Sequence, residues 1–388
     1  MSSPLRLRGR AIVAGVERPD VVVDVVDGRI VSVVSGTAGG GVGRGIERLD
    51  DDLLLAPGFV DIHVHGAGAA NAMDGPDAIR HVARTLAARG VTSFLPTAVS
   101  APLDRLAAFA GDVGEVMQAS DMLGATVLHA NLEGPALDPG HAGAHAHAAL
   151  VDPAVVVAAF RHDPAAWDAV RVVTVAPERP GGLDLVRLLA ARGIVASLGH
   201  SGATYAQAEE AYDAGARSTT HLFNAMSGLP HRGPGLALAA LLDRRPAVEL
   251  IADGLHVDAA MWPLVRRLAG TRVVLVSDAL PAAGLTGDRS FHLGGLEITV
   301  RDGRATLADG TLAGSMSLLA EAVVRFAAHG ASLAETVAAA STRPARLVGA
   351  RRKGRIARGA DADLLALRAD GTVARIWLRG RELDPGQP

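Results

Sequence analysis

The chain has 388 residues, 49% of them apolar, and a formal net charge of −3. That length exceeds one simple core and suits a large barrel plus a small accessory unit. Charge this balanced, with no long run of one sign, gives no electrostatic basis for binding nucleic acid or an anionic membrane, and the absence of cysteine excludes disulfides and thiolate metal sites.

The N-terminus, Met1-Ser2-Ser3-Pro4-Leu5-Arg6, lacks the apolar run of a signal peptide, and no apolar stretch is long enough to span a bilayer. A soluble cytoplasmic protein is therefore expected. Residues 10–14, 21–26 and 29–34 read as strands, and Asp27-Gly28 between the last two is a hairpin signal. The Gly-rich stretch 36–45 has no GxGxxG spacing and opens no helix, so it reads as a connection.

From Gly58 the pattern becomes strand then helix, repeated. Apolar strands are expected at 58–65, 92–99, 126–133, 170–177, 194–200, 218–223, 248–254 and 272–278. Helices are expected at 78–89, 103–118, 153–160, 183–192 and 206–214. Eight buried strands alternating with helices fit a closed (β/α)8 TIM barrel. A doubly wound open sheet is the competing reading, but it has fewer strands and carries a glycine fingerprint missing here. Residues 333–347 read as one helix, followed by strand character at 362–367, the turn Asp370-Gly371, and a strand at 372–378. Neither chain end can bury a core alone. One small β-sandwich built from both is expected, 1–56 with 355–388, flanking an α/β barrel domain at 57–354.

Barrel active sites form at the C-terminal ends of the strands. His63 and His65 end the first expected strand, two apart and so on one face. Glu133 ends the third, His200 the fifth, His221 the sixth and Asp278 the eighth. Ionisable groups are rarely buried unless paired or bound to metal. Six of them on one rim point to a metal site with N and O ligands, for which zinc is the leading ion and iron or manganese also fit. Lys353 is the single lysine, and it lies beyond the barrel in a basic turn. A carbamylated lysine therefore cannot bridge two metals here, and Glu133 is the available anionic bridge.

The segments PGFVDIHVHG, NLEGP, GHSGAT, THLFNAM, RGPG, DGLHV, VSDAL and GTLAGS together resemble the N-acetylglucosamine-6-phosphate deacetylases, a branch of the amidohydrolase superfamily. The resemblance covers nearly the whole chain. It implies that Glu133, His200 and His221 hold the main catalytic metal, with a second ion held by His63 and His65 beside Glu133. One or two ions per subunit are therefore expected. It implies Asp278 as the acid/base that activates water and protonates the departing amine, and His256 as a hydrogen-bond donor to the acyl oxygen. His145, with Ala144 beside it, matches a substrate-contacting position, and Leu312 and Ala313 belong to a loop over the sugar or acetyl group.

Arg232, Asn224 and Ala225 match the family's phosphate-binding positions. The arginine reaches across a dimer interface in relatives, which implies a homodimer. Gly233 stands where an acidic residue is common and Ala142 where a basic one is common. The implied substrate is a small phosphorylated amino sugar: N-acetyl-D-glucosamine 6-phosphate, or its galacto counterpart or another N-acetyl amino sugar. An N-acyl-D-amino acid hydrolase is the more distant alternative, and a metal-free barrel scaffold is a reading from a different class.

Overall fold

The computed structural model describes residues 5–36, 45–119 and 124–383. Most of the Gly-rich connection expected at 36–45 lies outside them. The eight barrel strands are Phe59–Val64, Val91–Ala98, a third broken into Thr126–Val127 and Ala130–Leu132, Val170–Val175, Val195–Leu198, Ser218–Thr219, Ala247–Ile251 and Val273–Val276. Neighbouring strands pair in parallel from first to last. The ring closes where Val64 bridges Ala279, and where the Asp278 amide donates to the His63 carbonyl at 3.0 Å.

These strands are nearly continuous apolar runs because both faces are covered. Val60, Ile62, Leu95, Val172, Val195, Ile251, Val274 and Val276 form one buried cluster with Ala345 and Val348. Residues from strands on opposite sides can meet only across the barrel interior, so this cluster is its packed filling. Around it, helices Pro76–Ala87, Leu103–Gln118, Pro153–His162, Gly182–Ala191, Tyr205–Ala214, Leu236–Leu242, Trp262–Ala269 and Leu319–Ala328 complete the outer layer.

The two chain ends do combine. One hydrogen-bonded sheet joins strands Leu5–Val13, Val16–Val26, Arg29–Ser35, Glu47–Arg48 and Leu54–Pro57 with Leu364–Leu367, Val373–Leu378 and Arg381–Glu382. The turn between the second and third strands uses Asp27 and Gly28, both at positive φ, which matches the right-handed twist of its strands. Ile30 exchanges backbone hydrogen bonds with Ala360 and Gly359. The sheet thus folds over a core of its own that includes Leu7, Val23, Leu55, Leu364 and Trp377.

One expectation needs correction, and two features go beyond what was expected. Residues 333–347 form two helices, Leu333–Ala340 and Thr342–Leu347, separated at Ser341. Pro344 has no N–H to donate to the Ala340 carbonyl, so a continuous helix would lose that bond and meet the proline ring. A three-stranded antiparallel sheet, Arg289–Leu293, Leu296–Arg301 and Arg304–Thr306, follows the last barrel strand. Its turns, Gly294-Gly295 and Asp302-Gly303, all sit at positive φ and are readable hairpin signals that the strand-helix pattern overshadowed.

Finally, Lys353 sits in its turn beyond the barrel, and its side chain is buried. Its Nζ lies 2.7 Å from Asp363 Oδ2 and 3.0 Å from Asp361 Oδ2, and donates to Thr126 Oγ1 at 2.9 Å. It ties the end sheet to the base of the third barrel strand. A Lys353→Met variant leaves the buried Asp363 carboxylate short of its cation, while Asp361 keeps Arg29 and Arg352 at 3.6 Å, and is expected to lose about 3–5 kcal/mol. A fall in the urea midpoint measures this, and an unchanged midpoint contradicts it.

Candidate metal centre and its pocket

The C-terminal rim of the barrel gathers His63, His65, Glu133, His145, His200, His221 and Asp278, all buried. Glu133 is the hub. Its Oε1 lies 2.8 Å from His221 Nε2 and 2.9 Å from His200 Nε2. Its Oε2 lies 3.0 Å from His65 Nε2 and 3.4 Å from both His63 Nε2 and His145 Nε2. Asp278 Oδ1 faces the same space, 3.3 Å from His65 Nε2 and 3.5 Å from His63 Nε2.

The backbone is bent to achieve this. His200, His221 and Asp278 have φ of 48°, 26° and 53°. Such conformations cost about 1–3 kcal/mol each and persist only where surrounding structure imposes them. Gly143, at φ +57°, brings its turn over His200; a Cβ there would stand 3.3 Å from the imidazole Cε1.

Outer hydrogen bonds fix the tautomers. His200 Nδ1 donates to the His141 carbonyl at 3.0 Å, and His65 Nδ1 donates to the Thr97 carbonyl at 3.2 Å. Both rings therefore present an Nε2 lone pair to the centre. His145 is the opposite case. Its Nδ1 accepts the Ser100 amide at 3.1 Å, so its Nε2 carries the proton and is a donor rather than a ligand.

His200 Nε2 and His221 Nε2 stand 3.1 Å apart, with Glu133 Oε1 against both. Lone pairs converging on one point from a buried donor set fit a divalent cation. His63, His65, Glu133 and Asp278 converge in the same way.

The charges are mutually dependent. Burial opposes the charge of Glu133, but His63, His145 and His200 outweigh it and hold its carboxyl well below the usual range. Burial also opposes a charged His65, yet in the metal-free centre Asp278 and Glu133 raise it to about 9, and its Nε2 proton is the one a bound cation would displace. Burial dominates at His200 and lowers it to about 4.

The centre floors a cavity of about 440 Å³. Ala144, His145, Asn224, Ala225, His256, Leu312 and Ala313 line its walls, as do Leu293 and Thr311 from the three-stranded sheet and the segment after it. His256 Nδ1 pairs with Asp253 Oδ2 at 2.7 Å, and Asp253 also accepts from Ser315 Oγ at 3.0 Å. Burial disfavours a charged His256, but Asp253 more than compensates and raises its pKa, while Asp253 itself is held at about 2.

Arg232 is the one expected site residue brought neither to the Glu133 cluster nor to the pocket. It is exposed, and no arginine or lysine lines the cavity among the described residues. Sequence reasoning missed Glu249, which is buried behind His63, and gave no role to His141, which lines the cavity and orients His200.

An amidohydrolase family model matches residues 54–383, spanning barrel and rim together. The chain belongs to the amidohydrolase family. It is 38% identical over 340 residues to N-acetylgalactosamine-6-phosphate deacetylase of Escherichia coli O157:H7, covering 85% of this chain and 88% of that one. It is 33% identical over 370 residues to N-acetylglucosamine-6-phosphate deacetylase of Vibrio furnissii, covering 93% and 90%. Among solved structures, a mutant of N-acetyl-D-glucosamine-6-phosphate deacetylase from Mycobacterium smegmatis, in complex with N-acetyl-D-glucosamine-6-phosphate, superposes with a TM-score of 0.90 at 31% identity. It covers 98% of this chain and 99% of that one. The chain's only lysine, Lys353, is fixed at the far end of the barrel, so no lysine reaches this centre.

Proposed function

We propose that this amidohydrolase converts N-acetyl-D-glucosamine 6-phosphate and water to D-glucosamine 6-phosphate and acetate, in the cytoplasm, in amino-sugar catabolism and cell-wall recycling. The observation that carries this is Asp278, a carboxylate held at the cavity floor against the Glu133-centred histidine cluster. A divalent ion held by Glu133, His200 and His221, zinc in the first instance, supplies Lewis acidity for the carbonyl and lowers the pKa of water.

The chain's own groups do the rest. Asp278 takes a proton from the attacking water as its oxygen bonds to the acetyl carbon. It then gives that proton to the amide nitrogen as the C–N bond breaks, so the leaving group departs as an amine. His256, oriented by Asp253, donates to the acyl oxygen. His145 donates from Nε2 to the sugar, while Asn224, Ala225, Ala144, Leu312 and Ala313 bound it.

The phosphate assignment rests on Arg232 reaching the pocket of a second copy, so we propose a homodimer. In support, no arginine or lysine lines the cavity of a single chain among the described residues. Arg232→Ala is expected to raise KM for the phosphorylated sugar while barely changing that for N-acetylglucosamine; equal effects on both contradict the assignment. The Escherichia coli relative favours a second reading, the galacto epimer with the same chemistry. Acetate release from N-acetylglucosamine 6-phosphate, N-acetylgalactosamine 6-phosphate and unphosphorylated N-acetylglucosamine, measured in parallel, tests the proposal. The gluco phosphate is expected to have the highest kcat/KM, and a higher value for either other sugar overturns it.

A further inference from the structure

Glu249 is a buried carboxyl that the proposed chemistry does not use. It lies in the seventh barrel strand, inside the apolar run Ala247–Ile251, and is 1% exposed. Its Oε2 stands 3.4 Å from His63 Nδ1 and accepts the His221 amide at 3.4 Å, while Ser218 Oγ donates to its Oε1 at 3.4 Å. No arginine or lysine forms an ion pair with it among the described residues. A carboxyl taken out of water this completely needs compensation, and among the described residues His63 is the ionisable side chain paired with it.

His63 is wholly buried and lies between carboxyl groups on its two edges. Nδ1 faces Glu249, and Nε2 faces Glu133 and Asp278. That Nε2 has no hydrogen-bond partner among the described residues. Two neighbouring rings give the comparison. His65 and His200 each spend Nδ1–H on a backbone carbonyl and turn Nε2 inward. His63 has no carbonyl in that place, and Glu249 stands there instead.

We infer that Glu249 is the positioning residue for a second metal ion: it holds the His63 proton on Nδ1 and so presents the Nε2 lone pair beside His65, Glu133 and Asp278. A carboxylate behind a ligating imidazole fixes the ring and raises its basicity more than a carbonyl does, and losing such a partner costs roughly 10–100-fold in metal affinity. The inference rests on the metal-dependent reading above but is separable from it.

The test is calorimetric titration of metal-stripped protein with Zn²⁺ alone, reading equivalents bound and affinity. Wild type is expected to bind two equivalents. Glu249→Ala is expected to keep one at unchanged affinity, which also shows that the variant is folded, and to weaken the other about 10–100-fold. Glu249→Gln keeps an acceptor for Nδ1–H and is expected to restore the second equivalent. Two equivalents of unchanged affinity in the Ala variant, or a single equivalent in wild type, overturns the inference and leaves the deacetylase reading standing. Loss of both ions in the Ala and Gln variants alike contradicts a role confined to His63. No binding by wild type overturns the metal-dependent reading itself.

Discussion

An Asp278→Asn variant is expected to bind the main metal as wild type does and to lose about 10²–10⁴-fold in kcat, the range for removing a positioned acid/base. The argument is geometric. Asp278 is held by the closure of the barrel, its amide on the His63 carbonyl, with its carboxyl against His63 and His65. It does not touch His200 or His221, so the ion expected at Glu133, His200 and His221 keeps its ligands. An amide of the same shape keeps the packing and cannot accept the proton from water or hand it to the amine. KM is expected to change little, because the loss falls on a step made only in the transition state. Metal analysis of the same preparation separates this from a failure to load. Wild-type turnover in a variant with normal metal content rules out Asp278 as the acid/base.

Glu133→Ala has the second large effect, and it differs in kind. Glu133 is the one group in contact with His63, His65, His145, His200 and His221 together. Removing it takes the anion from the middle of the cluster and one oxygen from each ligand group. Outer partners of metal ligands are worth roughly 10–100-fold in affinity, and a direct ligand shared by both groups is expected to cost more. The purified variant should therefore hold no metal after dialysis and show no turnover. Retention of a full metal complement contradicts the assignment of Glu133 as the shared ligand.

The barrel was legible because its strands are buried on both faces and read as apolar runs, and because a polar residue ending such a run stands out. Glu133, His200, His221 and Asp278 were each visible as an ionisable side chain at the end of a strand. Glu249 carried the same signal one step earlier, as the lone charge within Ala247–Ile251, but it fell inside a strand rather than at its end. The split at Ser341 depended on a proline that a helix start tolerates and a helix middle does not. Lys353 was legible as a turn residue beyond the barrel, but its partners were not. Sequence alone does not show that Asp361, Asp363 and Thr126 close around this one cation. The tautomers of His65, His145 and His200 were beyond sequence altogether, since each depends on an oxygen or amide brought in by a different strand or loop.

The deacetylase reading is tested most directly by acetate release from N-acetylglucosamine 6-phosphate before chelation, after exhaustive chelation, and after Zn²⁺ is returned. The geometry predicts acetate and D-glucosamine 6-phosphate in equal amounts, loss of turnover in the stripped protein, and recovery with the ion. Undiminished turnover by fully stripped protein, or no acetate from the metal-loaded enzyme, contradicts it.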